Sequence, residues 1–153
     1  MAPEHGVPKT LVEHAKRYKD RAQAAADQER DDNLVYDSVW CVFDIDKHPA
    51  VGEARKMARD NGIDLAISNP CIELWLLLHF SENPGMQDPA AMKKKLKKYV
   101  PAYDKHVDYE TYSAGYSQAV ARASKMDQLA EEAHEPHRNP TTGVYRLTEL
   151  IRR

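Results

Sequence analysis

Two aspartates one residue apart, Asp44 and Asp46, are the first residues in this chain with an evident chemical use. In an extended segment the side chains at i and i+2 project to the same side. Two carboxylates placed so repel each other, and a divalent cation relieves that repulsion. Hard oxygen donors of this kind suit Mg²⁺ or Mn²⁺. The plainer alternative is a surface loop in which Asp46 caps the helix that begins near Pro49. His48 follows two residues on, either as a further ligand or general acid/base or as an exposed loop histidine. Glu73 stands inside the apolar run Cys71–Phe80, where burial is hard to avoid. A buried carboxylate costs several kcal/mol unless something compensates it. Its place in the first turn of a helix offers a structural reason for it, and a cation offers a functional one. His79 on the same run reads as a satisfied core histidine. Ser68-Asn69-Pro70 supplies a candidate ligand contact in Ser68, though no base for a serine nucleophile is identifiable. The cluster Lys93-Lys94-Lys95-Leu96-Lys97-Lys98 is either a phosphate-tracking stripe or a solvated helix face. His14, His106, His134 and His137 give weaker signals.

The elements that must position these residues follow from periodicity. Thr10 and Glu13 fit a capping box, and Leu11, Ala15, Tyr18, Ala22 and Ala25 recur at helical spacing. Residues 38–43 (SVWCVF) form a near-continuous apolar run, predicting a strand covered on both faces that ends at Asp44-Ile45-Asp46. A helix over 52–61, stopped by Asn61-Gly62, leads to a second strand over 63–67, which implies parallel pairing through a right-handed crossover. The acidic pair then lies level with Ser68-Asn69-Pro70, at the strand ends where open α/β sheets bind ligands. Asn69 is expected to cap a buried helix over 71–80 with Pro70 at its first position. Helices are expected over 90–99, over 113–132 with Tyr116, Val120, Ala123, Met126 and Leu129 on one face, and over 141–153. The expected architecture is one α/β domain: a small parallel sheet covered by helices over about 9–80, then a mostly helical half over about 88–153. Two strands are a thin sheet, so a missing first strand or a partner that completes the sheet is expected.

The whole chain bounds these readings. It has 153 residues, 42% hydrophobic and 30% charged, and 24 acids against 22 Lys and Arg give a formal charge of −2. A chain of this length can bury roughly 68–70% of the surface its unfolded form exposes, enough for one core. The near-neutral charge argues against a histone-like basic protein while allowing a local basic patch. Cys41 and Cys71 sit in apolar runs without the spacing of a zinc or disulfide framework and read as buried thiols in a reducing compartment. The longest apolar run is half a membrane span, and the first residues lack the order of a signal peptide. A cytoplasmic protein without a membrane partner is expected.

With those residues in view, the sequence resembles the RloB-like family. The resemblance rests on Val39-Trp40-Cys41-Val42-Phe43-Asp44-Ile45-Asp46-Lys47-His48. Its strongest part is Ser68-Asn69-Pro70-Cys71-Ile72-Glu73-Leu74-Trp75-Leu76-Leu77-Leu78-His79-Phe80. It continues in Tyr103-Asp104-Lys105, Ala119–Lys125 and Asn139-Pro140-Thr141-Thr142. That family occurs in prokaryotic restriction and abortive-infection loci, often beside an ABC-type ATPase, and its core resembles the topoisomerase–primase (Toprim) fold. The resemblance implies Mg²⁺ or Mn²⁺ held by Asp44 and Asp46 and a metal-dependent nuclease acting on DNA or RNA. It further implies Glu73 and His48 as supporting or replacement ligands, Ser68 and Asn69 at the strand end, and Lys105 as a phosphate contact. The Toprim glutamate of the first strand has no counterpart, since Glu4 precedes no apolar strand and Glu13 reads as a helix cap. The chain is therefore expected to lack the family's first strand unit. That departure keeps a second reading open, a non-catalytic module that docks the ATPase or pairs with itself as a homodimer through its sheet edge.

Overall fold

The computed structural model describes residues 8–45 and 51–153. Among them the chain is α/β. Helix α1 (Pro8–Glu29) is followed by a 3-10 turn (Asp32–Leu34), strand β1 (Trp40–Asp44), α2 (Val51–Asp60), β2 (Asp64–Asn69) and the short α3 (Glu73–Leu77). Then come α4 (Pro89–Leu96), α5 (Tyr109–Ser113), α6 (Tyr116–Glu132), β3 (Thr141–Thr142) and α7 (Val144–Ile151). The sheet order is β1-β2-β3. Val39 O accepts from Asp64 N and Ile45 N donates to Ser68 O, each at 2.9 Å, so β1 and β2 advance together as the expected parallel pair. The third strand was not expected. Thr141 and Thr142 pair antiparallel with Asn69 and Ser68, making the sheet mixed. Two adjacent β-branched residues, both fully buried, favour a strand over the helix start expected there.

Two compact units divide the described residues, and β1 and β2 each have residues in both. The first holds α1, the 3-10 turn, α2 and the strand segments up to Val42 and Leu65. Within it Val12 and Ala26 of α1 are buried, whereas Tyr18 is 59% exposed. The face expected from Leu11, Ala15 and Tyr18 is therefore rotated. Lys19 lies on the inward side and donates to Asn61 O (2.8 Å) and Gly62 O (2.9 Å), neutralising carbonyls at the end of α2. α1 starts at Pro8, so Thr10 is inside the helix and not at its cap. Strand β1 alternates, with Cys41 and Phe43 buried and Val42 exposed, so one of its faces is open and not covered as expected. β2 is buried continuously from Ala66 to Ser68.

The second unit holds the remaining strand residues and everything after β2. Every residue of α3 is buried, as its apolar composition requires. Its carbonyl end is capped by Arg122, whose Nη1 donates to Leu78 O (2.8 Å). The helix is shorter than the expected 71–80, and Asn69 does not cap it: its amide donates to His137 O (2.8 Å). Asp88 caps α4, accepting from Ala91 N (2.7 Å), and Met92 and Leu96 turn inward at an i, i+4 step. α6 buries Ala123 and Met126 as expected, but its inner face turns to include Ala119 and Ala130 and leaves Leu129 38% exposed. Among the described residues, no helix is long and apolar enough to cross a membrane. Cys41 and Cys71 are both buried and free.

Candidate site at the strand ends

Asp44 closes β1 and is half-buried. The next residue, Ile45, is bonded to Ser68, so Asp44 lies beside the end of β2, as parallel pairing predicted. Ser68 itself is buried, and its hydroxyl shares a 2.8 Å hydrogen bond with Thr142 Oγ1. The Ser68 hydroxyl fastens the strand end to β3, and the Asn69 side-chain NH2, donating to His137 O, fastens it to the loop before β3. Asp46 and His48 lie outside the described residues.

Glu73, the first residue of α3, has a side chain only 2% exposed. Its Oε1 accepts from the Tyr103 hydroxyl (3.1 Å) and from the Lys105 ammonium. Burial by itself would raise the carboxyl's pKa. The Lys105 hydrogen bond, the helix's own backbone amide and the Cys71 thiol outweigh it and hold the group below the ordinary carboxylate range. The same contacts act on the partners. The bond to Glu73 raises the Lys105 ammonium, with further support from Asp44. Burial, then Glu73 and Asp44, pushes the Cys71 thiol up to about 12, so it is an inert thiol and not a nucleophile. Burial and the adjacent carboxylate likewise raise Tyr103. At neutral pH the cluster therefore carries a carboxylate, an ammonium, a neutral phenol and a neutral thiol.

Lys105 has two unusual features. Its φ is +80°, in the left-handed region that costs a non-glycine residue about 1 kcal/mol or more. Its side chain is 61% exposed even though its ammonium reaches a buried carboxylate. It therefore presents a fixed positive charge that is anchored on one side and open to solvent on the other, within the electrostatic reach of Asp44. The Tyr103-Asp104-Lys105 segment carried only a weak sequence signal, and nothing in its spacing indicated that Tyr103 and Lys105 converge on Glu73. The lone acid in an apolar run was the usable clue, because a compensating donor had to exist.

A hard divalent cation takes oxygen donors of the kind Asp44 offers, a part-exposed carboxylate at a strand end. Glu73 suits it less, because its Oε1 already accepts from the Tyr103 hydroxyl and the Lys105 ammonium. Among the described residues, no group of three or more His, Cys, Asp or Glu side chains could hold a metal. A set built on Asp44 would have to be completed from Asp46 and His48. His79 is the core histidine expected, buried, with Nδ1 2.9 Å from Trp75 O and its pKa lowered by burial. Lys93, Lys94 and Lys95 lie on α4 and Lys97 and Lys98 just beyond it; Lys94, Lys97 and Lys98 are exposed, while Lys93 and Lys95 flank buried Met92 and Leu96 and are half-buried.

Comparison with known proteins bears out the family resemblance seen in the sequence. The family model described as RloB-like protein matches residues 1–151. No curated protein and no solved structure matches the chain.

Proposed function

The chain belongs to the RloB-like family, and from that premise we propose that it is a Toprim-like domain of a prokaryotic defence protein that hydrolyses phosphodiester bonds of nucleic acid with Mg²⁺ or Mn²⁺. The observation that carries the proposal is the pairing of opposite charges at the strand ends. Asp44 closes β1, and a solvent-facing Lys105 within its field is anchored by buried Glu73. A phosphodiester brings negative charge, and its hydrolysis adds more in the transition state. Such a reaction needs a fixed cation aimed at the phosphate and a metal site beside it.

In this reading Asp44 and Asp46 would hold the cation, with His48 as a further ligand. The metal's contribution when bound is to polarise the phosphate and lower the pKa of water. Lys105 binds a non-bridging phosphate oxygen. Glu73 and Tyr103 are positioning residues, keeping the ammonium in place and protonated. Ser68 and Asn69 hold the strand end through Thr142 and His137. The test is cleavage of single- and double-stranded DNA and RNA with added Mg²⁺ or Mn²⁺. The Asp44→Ala/Asp46→Ala double variant should lose cleavage entirely. Lys105→Ala should lose at least tenfold in kcat/KM, about the 1.4 kcal/mol expected of one charge-assisted hydrogen bond. Full cleavage by the double variant would sink the assignment.

One observation favours a second reading. Among the described residues, β1 lies at the edge of the sheet. An open edge can accept another strand, from an ABC-type ATPase encoded nearby or from a second copy. Co-purification with that ATPase or a stable dimer, with no cleavage of any nucleic acid, would favour it. A monomer that binds neither would count against it.

A further inference from the structure

Residues 88–105 carry six lysines against two aspartates, a local charge of +4 in a chain whose total is −2, so the remainder stands at −6. Five of those lysines, Lys93, Lys94, Lys95, Lys97 and Lys98, occupy the last turn of α4 and the two residues after Leu96. Other lysines of the chain are matched by acids: Lys9 pairs with Glu53, Lys16 with Asp20, Lys56 with Asp60 and Lys105 with Glu73. None of the five has a hydrogen-bond or ion-pair partner for its ammonium among the described residues. The two acids of the same stretch are turned to backbone, Asp88 accepting from Ala91 N and Asp104 from His106 N (3.1 Å). A helix C-terminus favours one or two cations through its dipole, which does not account for five. Lys93 and Lys97, like Lys94 and Lys98, stand four residues apart, where like charges oppose the helix. An anionic partner relieves that repulsion.

The fold fixes this patch beside the candidate site. α4 packs against α3, and Tyr99, next after the lysines, stacks on Phe80 with ring centroids 5.3 Å apart and planes 11° from parallel. Tyr103 N then donates to Val100 O (3.0 Å), and this turn delivers Tyr103 and Lys105 to Glu73 at the start of α3. The seven steps of chain from Lys98 to Lys105 separate their α-carbons by roughly 25 Å at most. Phosphates succeed one another every ~3.4 Å along a duplex strand, so a backbone touching both lysines spans on the order of seven phosphates. An anionic membrane is the competing polyanion. A helix that binds one inserts an apolar face, and the apolar residues Met92 and Leu96 of α4 are buried within the protein. We propose that Lys93–Lys98 track the phosphate backbone of a nucleic acid and lead it to Lys105 and Asp44, fixing its position without reading its sequence. The choice of nucleic acid as the polyanion rests on the proposed nuclease reading, whereas the unmatched charge and its placement do not.

The test is fluorescence anisotropy of a labelled sixteen-base-pair duplex, and of one of its strands alone, titrated with the whole chain in EDTA over a range of salt concentrations. Lys94→Gln/Lys97→Gln/Lys98→Gln changes three exposed residues and removes three phosphate contacts. The slope of log affinity against log salt should fall by about 2.7 on the duplex or about 2.1 on the single strand, with more than a tenfold loss of affinity at about 0.1 M salt. Lys9→Gln/Lys16→Gln/Lys56→Gln makes the same change in net charge at lysines already paired with acids and should keep the wild-type slope. Binding of either form through the α4 lysines upholds the proposal, and the tighter of the two identifies the form of backbone. The proposal is overturned if neither form binds, if the α4 variant keeps the wild-type slope, or if the two triple variants lose equally. It is also overturned if vesicles of phosphatidylserine and phosphatidylcholine bind through these lysines while nucleic acids do not. Asp44→Ala/Asp46→Ala should bind at least as tightly as the wild type in EDTA. Binding through the lysines without cleavage in Mg²⁺ or Mn²⁺ would fault only the nuclease reading, and cleavage with an unaltered slope in the α4 variant only this one.

Discussion

Lys105→Met should destabilise the protein by about 3 kcal/mol at pH 7, and the deficit should shrink as the pH falls. The substitution leaves the Glu73 carboxylate buried with the Tyr103 hydroxyl as its remaining side-chain donor of the two. Breaking a buried ion pair costs about 3–5 kcal/mol, and the lower end applies because the ammonium faces solvent. The sign of the pH effect follows from linkage. In the wild type the folded pKa of Glu73 lies below the ordinary 4.5, so its contribution is present above that value and is lost as pH falls through the folded pKa. In the variant, burial acts without the ammonium, and the folded pKa moves above the ordinary value. The variant then loses stability as pH rises through its folded pKa, and it recovers relative to wild type toward pH 4.5. Urea denaturation of both proteins at pH 7 and pH 5 measures this. An equal deficit at the two pH values would mean that Glu73 is not held by Lys105.

Gly115→Ala should be comparably damaging for a different reason. A β-carbon at Gly115 would stand 2.0 Å from the His79 carbonyl oxygen, a backbone atom that cannot swing aside. The clash falls where α6 begins against the end of the buried α3 segment, so relief requires shifting a helix. Overpacking of this kind costs about 3 kcal/mol, which lowers the melting temperature of a chain this long by roughly 6–12 °C. Thermal unfolding followed by circular dichroism is the check. An unchanged midpoint would mean that the two segments are not in contact there. Because Gly115 has φ −93°, its backbone conformation is open to alanine and the effect is steric alone.

Local chemistry accounts for what the sequence revealed. The strand–helix–strand unit was legible because Ile63–Ile67 and the run ending at Phe43 are apolar, and Asn61-Gly62 is a plain helix stop. The burial of Glu73 and His79 was legible because no helix face of Cys71–Phe80 is polar. The site itself was harder to read. Tyr103 and Lys105 reach Glu73 across about thirty residues of chain, and periodicity carries no information on such pairing. Thr141-Thr142 reads as a helix start in sequence because a two-residue strand has no pattern of its own, and its state is decided by pairing with Ser68 and Asn69. Asn69 and Pro70 have the residue types of a cap and first turn, yet tertiary contact with His137 overrides that local preference. The rotated faces of α1 and α6 share one cause. Alanines at several registers let more than one stripe serve as the inner face, and packing then selects among them.

The central claim is that Asp44 and its neighbour Asp46 hold a divalent cation beside an anchored lysine. The most direct measurement is calorimetric titration of Mn²⁺ and Mg²⁺ into the wild-type chain and the Asp44→Ala/Asp46→Ala variant, with Lys105→Ala as a third sample. Saturable binding is expected in the wild type, none in the acidic double variant, and retained binding in Lys105→Ala, where removal of a nearby positive charge favours the cation. Equal heats from wild type and double variant would contradict the account and leave the edge of β1 as the feature to pursue.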